Sequence, residues 1–160
     1  MTIAVGDRVP DIEVKTMGPD GPTSVSTGEV LGKGKVVLFA VPGAFTPGCS
    51  KVHLPGFVQD AEAVIGKGVG TIACVAVNDA WVMDAWGHSQ GAGDKIVMLA
   101  DGNATFTEAM GLLFDGSSVG LGKRSRRYAA IVEDGVITSL EVEPSAGVDV
   151  SSCSAVLARL

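Results

Sequence analysis

The apolar residues of this 160-residue chain fall into short continuous runs, not into a strict alternation with polar residues. Such runs, bordered by Gly, Pro, Asn or Asp, predict strands that are buried in the middle of a sheet. The three runs are Lys35–Ala40, Thr71–Val77 and Ile96–Ala100. Tyr128–Val132 and Val136–Val142 flank Glu133-Asp134-Gly135 and predict a β-hairpin.

Cap residues and apolar residues at helical spacing predict helices between these strands. The first helix is predicted to open at Thr46, to be kinked or broken at Pro55–Gly56, and to stop at Gly66-Lys67-Gly68. A second is capped by Asn78-Asp79, and a third runs from about Ala104 to Met110. The last extends from Ser151-Ser152 to Leu160. Near the N-terminus, Ile12–Lys15 is the best strand candidate, and Thr27–Leu31 predicts a short helical turn. Crossovers followed by a hairpin imply an α/β fold with a mixed central sheet and helices on both faces.

Composition narrows the class of protein. With 46% hydrophobic and 19% charged residues, the chain is expected to form a single globular domain over residues 1–160. The net charge of −6 argues against nucleic acid or an anionic membrane as a partner, and no apolar run approaches the roughly 20 residues of a membrane helix. The first residues lack a signal-peptide pattern, so we predict a cytoplasmic protein, or an organellar one if a transit peptide has been removed.

The segment Val41–Ser50 carries the clearest chemistry in the sequence. It follows the first buried strand, and Thr46 and Pro47 have the residue types of an N-cap and a first helical position. In that register the Thr46 hydroxyl accepts the Cys49 amide, and the sulfur lies in the first helical turn. The positive end of a helix favours a thiolate, so Cys49 is predicted to be nucleophilic.

The chain has three cysteines and no C-x-x-C pair, which does not suggest a disulfide framework. Free thiols, one of them reactive, are the more typical interpretation. Cys49 and His53 share a helical face and could begin a metal site, but no second ligand pair accompanies them.

Pro42, Thr46 and Cys49 match the P-x-x-x-T-x-x-C signature of peroxiredoxins, the cysteine-dependent peroxidases. The chain resembles the type 5 (type II) branch, and the resemblance spans nearly its whole length. It extends through Ser50–Phe57, Val77-Asn78-Asp79, Trp86-Gly87, Arg124–Tyr128 and Val142-Glu143-Pro144. This resemblance implies a thioredoxin-like fold with extra segments, and it implies no metal, flavin or haem.

The resemblance also assigns roles to individual residues. Cys49 would be the peroxide-attacking thiol, with the Thr46 hydroxyl facing its sulfur and Pro42 shielding it. Arg127, which directly precedes the strand at Tyr128, would bind peroxide and stabilise the thiolate through its planar fork. Its basic neighbours, Lys123, Arg124 and Arg126, are expected to lie in solvent.

The remaining cysteines and His53 are placed less firmly by the resemblance. His53 would pack near the pocket and polarise it. Cys153, at the start of the last helix, resembles a resolving cysteine, and Cys74 is the second choice because its strand should bury it. An external thiol could serve as resolver instead.

The implied activity is reduction of hydrogen peroxide and alkyl hydroperoxides through a cysteine sulfenic acid. Thioredoxin, or glutaredoxin with glutathione, would act as the reductant in antioxidant defence. The alternatives are a non-enzymatic peroxide sensor and, less well matched, a pure binding module. The resemblance further implies a homodimer, with an apolar patch from Ala44-Phe45, Ala80-Trp81 and Leu121.

Overall fold

The computed structural model describes residues 1–160 and contains nine strands and six α-helices. The strands are β1 (Glu13–Gly18), β2 (Gly21–Ser26), β3 (Lys35–Ala40), β4 (Val69–Ala76), β5 (Val97–Ala100), β6 (Leu113–Asp115), β7 (Lys123–Ser125), β8 (Tyr128–Glu133) and β9 (Val136–Val142). The helices are α1 (Thr27–Leu31), α2 (Leu54–Gln59), α3 (Ala61–Ile65), α4 (Ala80–Ser89), α5 (Thr105–Met110) and α6 (Cys153–Arg159). A π-helical segment, Cys49–His53, leads into α2. No helix is both long enough and apolar enough to cross a membrane.

Seven strands form one mixed sheet in the order β2-β1-β5-β4-β3-β8-β9. The three central strands β3, β4 and β5 are parallel, whereas β8 pairs with β3 in the antiparallel direction. The short strands β6 and β7 form a separate two-stranded ribbon. The strand order confirms the predicted mixed sheet.

The core consists of two buried clusters, one on each face of the sheet. Val37 and Phe39 of β3 contribute to a cluster of 23 buried residues that is covered by α2, α3, α4 and α6. Val36 and Leu38, which alternate with them, contribute to a cluster of 16 buried residues beneath α1 and α5. Because successive side chains of a strand point to opposite faces, a continuous apolar run is what a strand covered on both sides requires.

Most predicted elements are confirmed, with boundaries shifted by up to about three residues. The N-terminal region differs, because Gly21–Ser26 forms an edge strand that the sequence pattern did not predict. Its residues are mostly small and polar, and it pairs only with β1. Edge strands need no second apolar face, so they lack the pattern from which buried strands are predicted.

The helix after Thr46 is not broken at Pro55–Gly56 as predicted. The irregularity lies before the proline, where Cys49–His53 adopts π-helical geometry and the Leu54 amide bonds to the Cys49 carbonyl. Pro55 then occupies the first turn of α2. Proline cannot donate an amide hydrogen bond, and a π-turn just before it lets the helix continue through that position.

Candidate active site

The carboxyl end of β3 is where the distant segments of the predicted site meet. Ala40, the last residue of β3, pairs with Tyr128, the first residue of the antiparallel strand β8. Arg127 therefore lies beside the loop that leaves β3. Strand β4 runs parallel to β3, so Asn78, which follows β4, reaches the same edge of the sheet.

Cys49 lies where these segments meet, and it is fully buried. Arg127 Nη2 is 3.2 Å from the Cys49 sulfur, and Thr46 Oγ1 is 3.0 Å from it. The sequence-predicted residues Cys49, Thr46 and Arg127 are therefore brought together. One guanidinium group and one hydroxyl group therefore direct hydrogen bonds at the Cys49 sulfur.

Thr46 differs from the prediction in its hydrogen bonding. Its hydroxyl does not accept the Cys49 amide; it lies 2.7 Å from the Gly43 carbonyl and faces the Cys49 sulfur. The Thr46 carbonyl instead accepts the Ser50 amide and so begins the helix. A hydroxyl has one proton, so Thr46 can donate to only one of these two acceptors at a time.

Arg127 reaches the sulfur across Gly48, where the chain leaves room for it. A methyl group on Gly48 would lie 3.2 Å from Arg127 Nη2, closer than ordinary packing distance. Glycine at this position therefore lets the guanidinium approach the helix start.

The basic neighbours of Arg127 were predicted to lie in solvent, and one of them does not. Arg124 is half-buried, and its Nε donates to the Leu121 carbonyl at 3.0 Å. Lys123 and Arg126 are exposed, as expected.

His53 is buried between Arg127 and the segment before α6. Arg127 Nη1 donates to His53 Nδ1 at 2.9 Å, and His53 Nε2 lies 2.8 Å from the Ser151 carbonyl. An arginine can only donate, so Nδ1 must accept and Nε2 must carry the proton. Burial and the adjacent Arg127 charge lower the pKa of His53 to about 3. The ring is therefore a neutral bridge, and both of its nitrogens are already occupied, which speaks against the metal interpretation.

Glu143 is a part of the site that sequence reasoning noted only as resemblance. Its carboxylate accepts hydrogen bonds from the amides of Asp149, Val150 and Ser151 and from the Ser151 hydroxyl, at 2.8–3.3 Å. Burial alone raises the pKa of this carboxyl group, but the hydrogen bonds to the amides and the hydroxyl outweigh it, and the pKa is lowered. No feature of the sequence distinguishes the buried carboxylate of Glu143 from half-buried Glu141 two residues earlier.

Two further side chains fix the loop and helix that carry Cys49. Asn78 Oδ1 accepts the Ala44 amide at 2.9 Å, and Trp86 Nε1 donates to Ser50 Oγ at 2.9 Å. The sequence predicted Asn78-Asp79 as the cap of the following helix, and in the structure Asp79 performs that role. Both contacts join residues distant in sequence, so no local pattern indicates them.

A cavity of about 470 Å³ opens beside Arg127 and Gly48. Its other lining residues include Pro42, Phe114 and Pro144. Pro42 therefore lines the same cavity as Arg127 and Gly48. A larger cavity of about 750 Å³ beside α1 contains none of the site residues.

Cys74 is buried as predicted, whereas Cys153 differs from its prediction. Cys74 is buried in β4 as expected, and burial raises its pKa well above the ordinary value. Cys153 was predicted to be accessible, but it is only 4% exposed, and burial, followed by the charge of Asp60, raises its pKa to about 11. The helix-start effect is overridden because the thiol packs into the core.

Cys153 packs beside the helix that follows Cys49: a methyl group on Gly56 would be 3.7 Å from Cys153 Cβ. Cys49 and Cys153 are both buried, and neither is bonded to another cysteine. A disulfide requires α-carbons within about 4.4–6.8 Å. A Cys49–Cys153 bond would therefore have to form between two buried thiols.

Comparison with known proteins identifies the family. The redoxin family model matches residues 4–157. Peroxiredoxin-2E-2, chloroplastic, of Oryza sativa subsp. japonica is 48% identical, over 99% of this chain and 73% of that protein. Peroxiredoxin-2B of Arabidopsis thaliana is 42% identical, over 99% of this chain and 98% of that protein.

Structural similarity agrees with the sequence matches. The crystal structure of reduced Prx3 from Vibrio vulnificus in complex with H₂O₂ has a TM-score of 0.94 and 46% identity, with 99% of both chains covered. This likeness confirms the predicted thioredoxin-like peroxiredoxin fold. The chain therefore belongs to the redoxin family and, within it, to the peroxiredoxins, the thiol peroxidases of antioxidant defence.

Proposed function

We propose that Cys49 is the thiol that reduces hydrogen peroxide and small alkyl hydroperoxides, with Thr46, Arg127 and Pro42 completing the catalytic set. The observation that carries this proposal is the convergence of Arg127 Nη2 and Thr46 Oγ1 on the Cys49 sulfur, at 3.2 and 3.0 Å. The same donors can hold a peroxide oxygen as it approaches the sulfur. Their fixed positions would stabilise charge that develops in the transition state.

The reaction has a simple balance of atoms. The Cys49 thiolate attacks the terminal oxygen of ROOH, the O–O bond breaks, and Cys49 becomes a sulfenic acid. The leaving RO⁻ takes a proton and departs as ROH, which is water when the substrate is hydrogen peroxide. Arg127 would donate to the leaving oxygen, and Pro42 would keep bulk water from the sulfur.

The cavity beside Arg127 supports organic hydroperoxides as substrates in addition to hydrogen peroxide. Its wall includes Pro42, Phe114 and Pro144, which offer apolar surface to an alkyl group. A volume of about 470 Å³ is much larger than hydrogen peroxide needs. The substituent would lie in the cavity while the peroxide group reaches Cys49.

Because Cys74 and Cys153 are buried, we propose that an external thiol resolves the sulfenic acid of Cys49. It condenses with the sulfenic acid of Cys49 to give a mixed disulfide and water, and a second thiol releases Cys49. Resolution by Cys153 or Cys74 would require opening around a second buried residue as well as around Cys49. Glutathione with glutaredoxin, or thioredoxin, would supply the reducing equivalents.

The proposed assembly is a homodimer joined at the active-site end. Phe45 and Trp81 are 55% and 65% exposed, and the loop of Phe45 is linked to the start of α4 because Asn78 Oδ1 accepts the Ala44 amide. Ala44 and Ala80 are themselves buried, so the two aromatic side chains would provide the apolar contact. For the compartment, the cytoplasm remains our prediction.

The test is peroxide-dependent oxidation of NADPH, with thioredoxin and its reductase or glutaredoxin, glutathione and glutathione reductase supplied in turn. Wild-type protein should turn over many times with at least one system, and Cys49→Ser should not, because a serine hydroxyl is not ionised near neutral pH. Cys74→Ser is the matched control and should retain turnover. Oxidation that stops after one equivalent with every reductant would instead favour a peroxide sensor.

A further inference from the structure

Arg127 is held by a chain of contacts that begins at Glu143 and ends at the sulfur of Cys49. The Glu143 carboxylate binds Ser151, the Ser151 carbonyl faces His53 Nε2, and His53 Nδ1 accepts from Arg127. These three links are hydrogen bonds of 2.8–3.0 Å, and the last contact, from Arg127 Nη2 to the Cys49 sulfur, is 3.2 Å. We propose that Glu143 is a positioning residue, which sets the tautomer of His53 and thereby the aim of the Arg127 fork at Cys49.

The first link explains why a carboxylate is needed. The segment between β9 and α6 has no regular structure, and its amides have no strand or helix partners. Glu143 gathers three of these amides and one hydroxyl on its two oxygens. Four donors require an acceptor with several lone pairs and no hydrogen of its own, which an ionised carboxylate provides and a carboxamide does not.

The second link transmits this order to the imidazole. With the Ser151 carbonyl fixed, His53 must place its proton on Nε2, and the lone pair of Nδ1 then points at Arg127 Nη1. The reversed tautomer would set an N–H against the guanidinium and a lone pair against the carbonyl. Both contacts would be lost, and Arg127 could rotate away from the sulfur.

A backbone contact ties the same residues from the other side. The Glu143 amide donates to the Arg127 carbonyl at 2.9 Å, so the main chains of the two residues are held together just beyond the Tyr128–Val142 pair of β8 and β9. Glu143 therefore positions Arg127 through the backbone directly and through Ser151 and His53 at the side chain. The substitution Glu143→Gln changes only the second route.

The experiment measures the rate of Cys49 oxidation by hydrogen peroxide in a double-mutant cycle. Glu143→Gln should lower the second-order rate constant about tenfold, because one amide must now face the NH₂ group of glutamine. In an Arg127→Lys background the same change should lower the rate less than twofold, since the fork that it positions is absent. Glu141→Gln, two residues earlier in β9, is the matched control and should leave the rate unchanged.

A spectroscopic measurement separates positioning from general destabilisation. The chain has two histidines, so the ring nitrogens of His53 and His88 can be assigned from ¹⁵N NMR spectra of wild type and single variants. Wild-type His53 should show one neutral form protonated at Nε2, and Glu143→Gln should shift its nitrogens toward the average of the two tautomers. Exposed His88 should be unchanged.

The proposal fails if the rate losses of Glu143→Gln and Arg127→Lys multiply, or if His53 keeps its Nε2 proton fully in Glu143→Gln. Should Glu143→Gln not fold, Ser151→Ala removes only the hydroxyl donor. It must then lower the rate two- to threefold and move the same His53 signals. Because the inference rests on the proposed function, Cys49→Ser distinguishes a failure of the function from a failure of the inference. Residual peroxide turnover in Cys49→Ser would refute the proposed function itself.

Discussion

Replacing Arg127 by lysine keeps the positive charge but removes the planar fork, which makes it a direct test of geometry. Arg127 donates through Nη2 to the Cys49 sulfur and through Nη1 to His53 Nδ1, at 3.2 and 2.9 Å. A single ammonium nitrogen cannot occupy both positions. At least one charge-assisted hydrogen bond, of about 1.5–3 kcal/mol, is therefore lost.

This loss corresponds to a decrease of roughly 10- to 150-fold in the second-order rate constant, since about 1.4 kcal/mol is tenfold in rate. Stopped-flow fluorescence can follow the reaction, because Trp86 bonds Ser50, the residue after Cys49. Arg126→Lys is the matched control: that side chain is exposed and its one contact, to the Glu143 carbonyl, is long at 3.5 Å. We expect less than a twofold change there.

A rate for Arg127→Lys within threefold of wild type would refute the fork argument and point to Arg124 as the functional cation. A loss of equal size in Arg126→Lys would show that the effect is not specific to the directed hydrogen bonds of Arg127. Thermal unfolding of each variant separates both outcomes from loss of the fold.

Three other predictions follow from the same structure. The pKa of folded His53, about 3, lies below its ordinary value of 6.5, so its stabilisation is complete above pH 6.5 and is lost as pH falls toward 3. Urea unfolding should therefore show wild type losing about 2 kcal/mol more than His53→Gln between pH 7 and 5, and parallel losses would contradict the assignment. Peptide mapping after one equivalent of peroxide with glutathione should find glutathione on Cys49; a dominant bridge to Cys153 or Cys74 would show that the buried thiols move readily. Light scattering should give a dimer at micromolar concentration that Trp81→Asp weakens at least tenfold, whereas a monomeric wild type would remove the interface.

The sequence alone was sufficient for those features that depend on neighbouring residues. The apolar run Lys35–Ala40 defined β3 with both ends correct, and Ser152 and Asp79 cap helices as their residue types suggest. Cys49 stood out because a thiol, a threonine and a proline lie within one helical turn of each other. Such signals survive folding because strand periodicity and helix caps are decided over a few residues.

The partners of each functional group were decided by the tertiary structure. Arg127 and Cys49 are 78 residues apart, and the pairing of β8 with β3 brings them together. Glu143 gave no local signal, since its role depends on amides of a segment that only the fold brings to it. Cys153 has the local pattern of an exposed first-turn thiol, yet packing against Gly56 buries it. Burial and hydrogen-bond partners are properties of contacts between distant segments, so the residue types near each position cannot determine them.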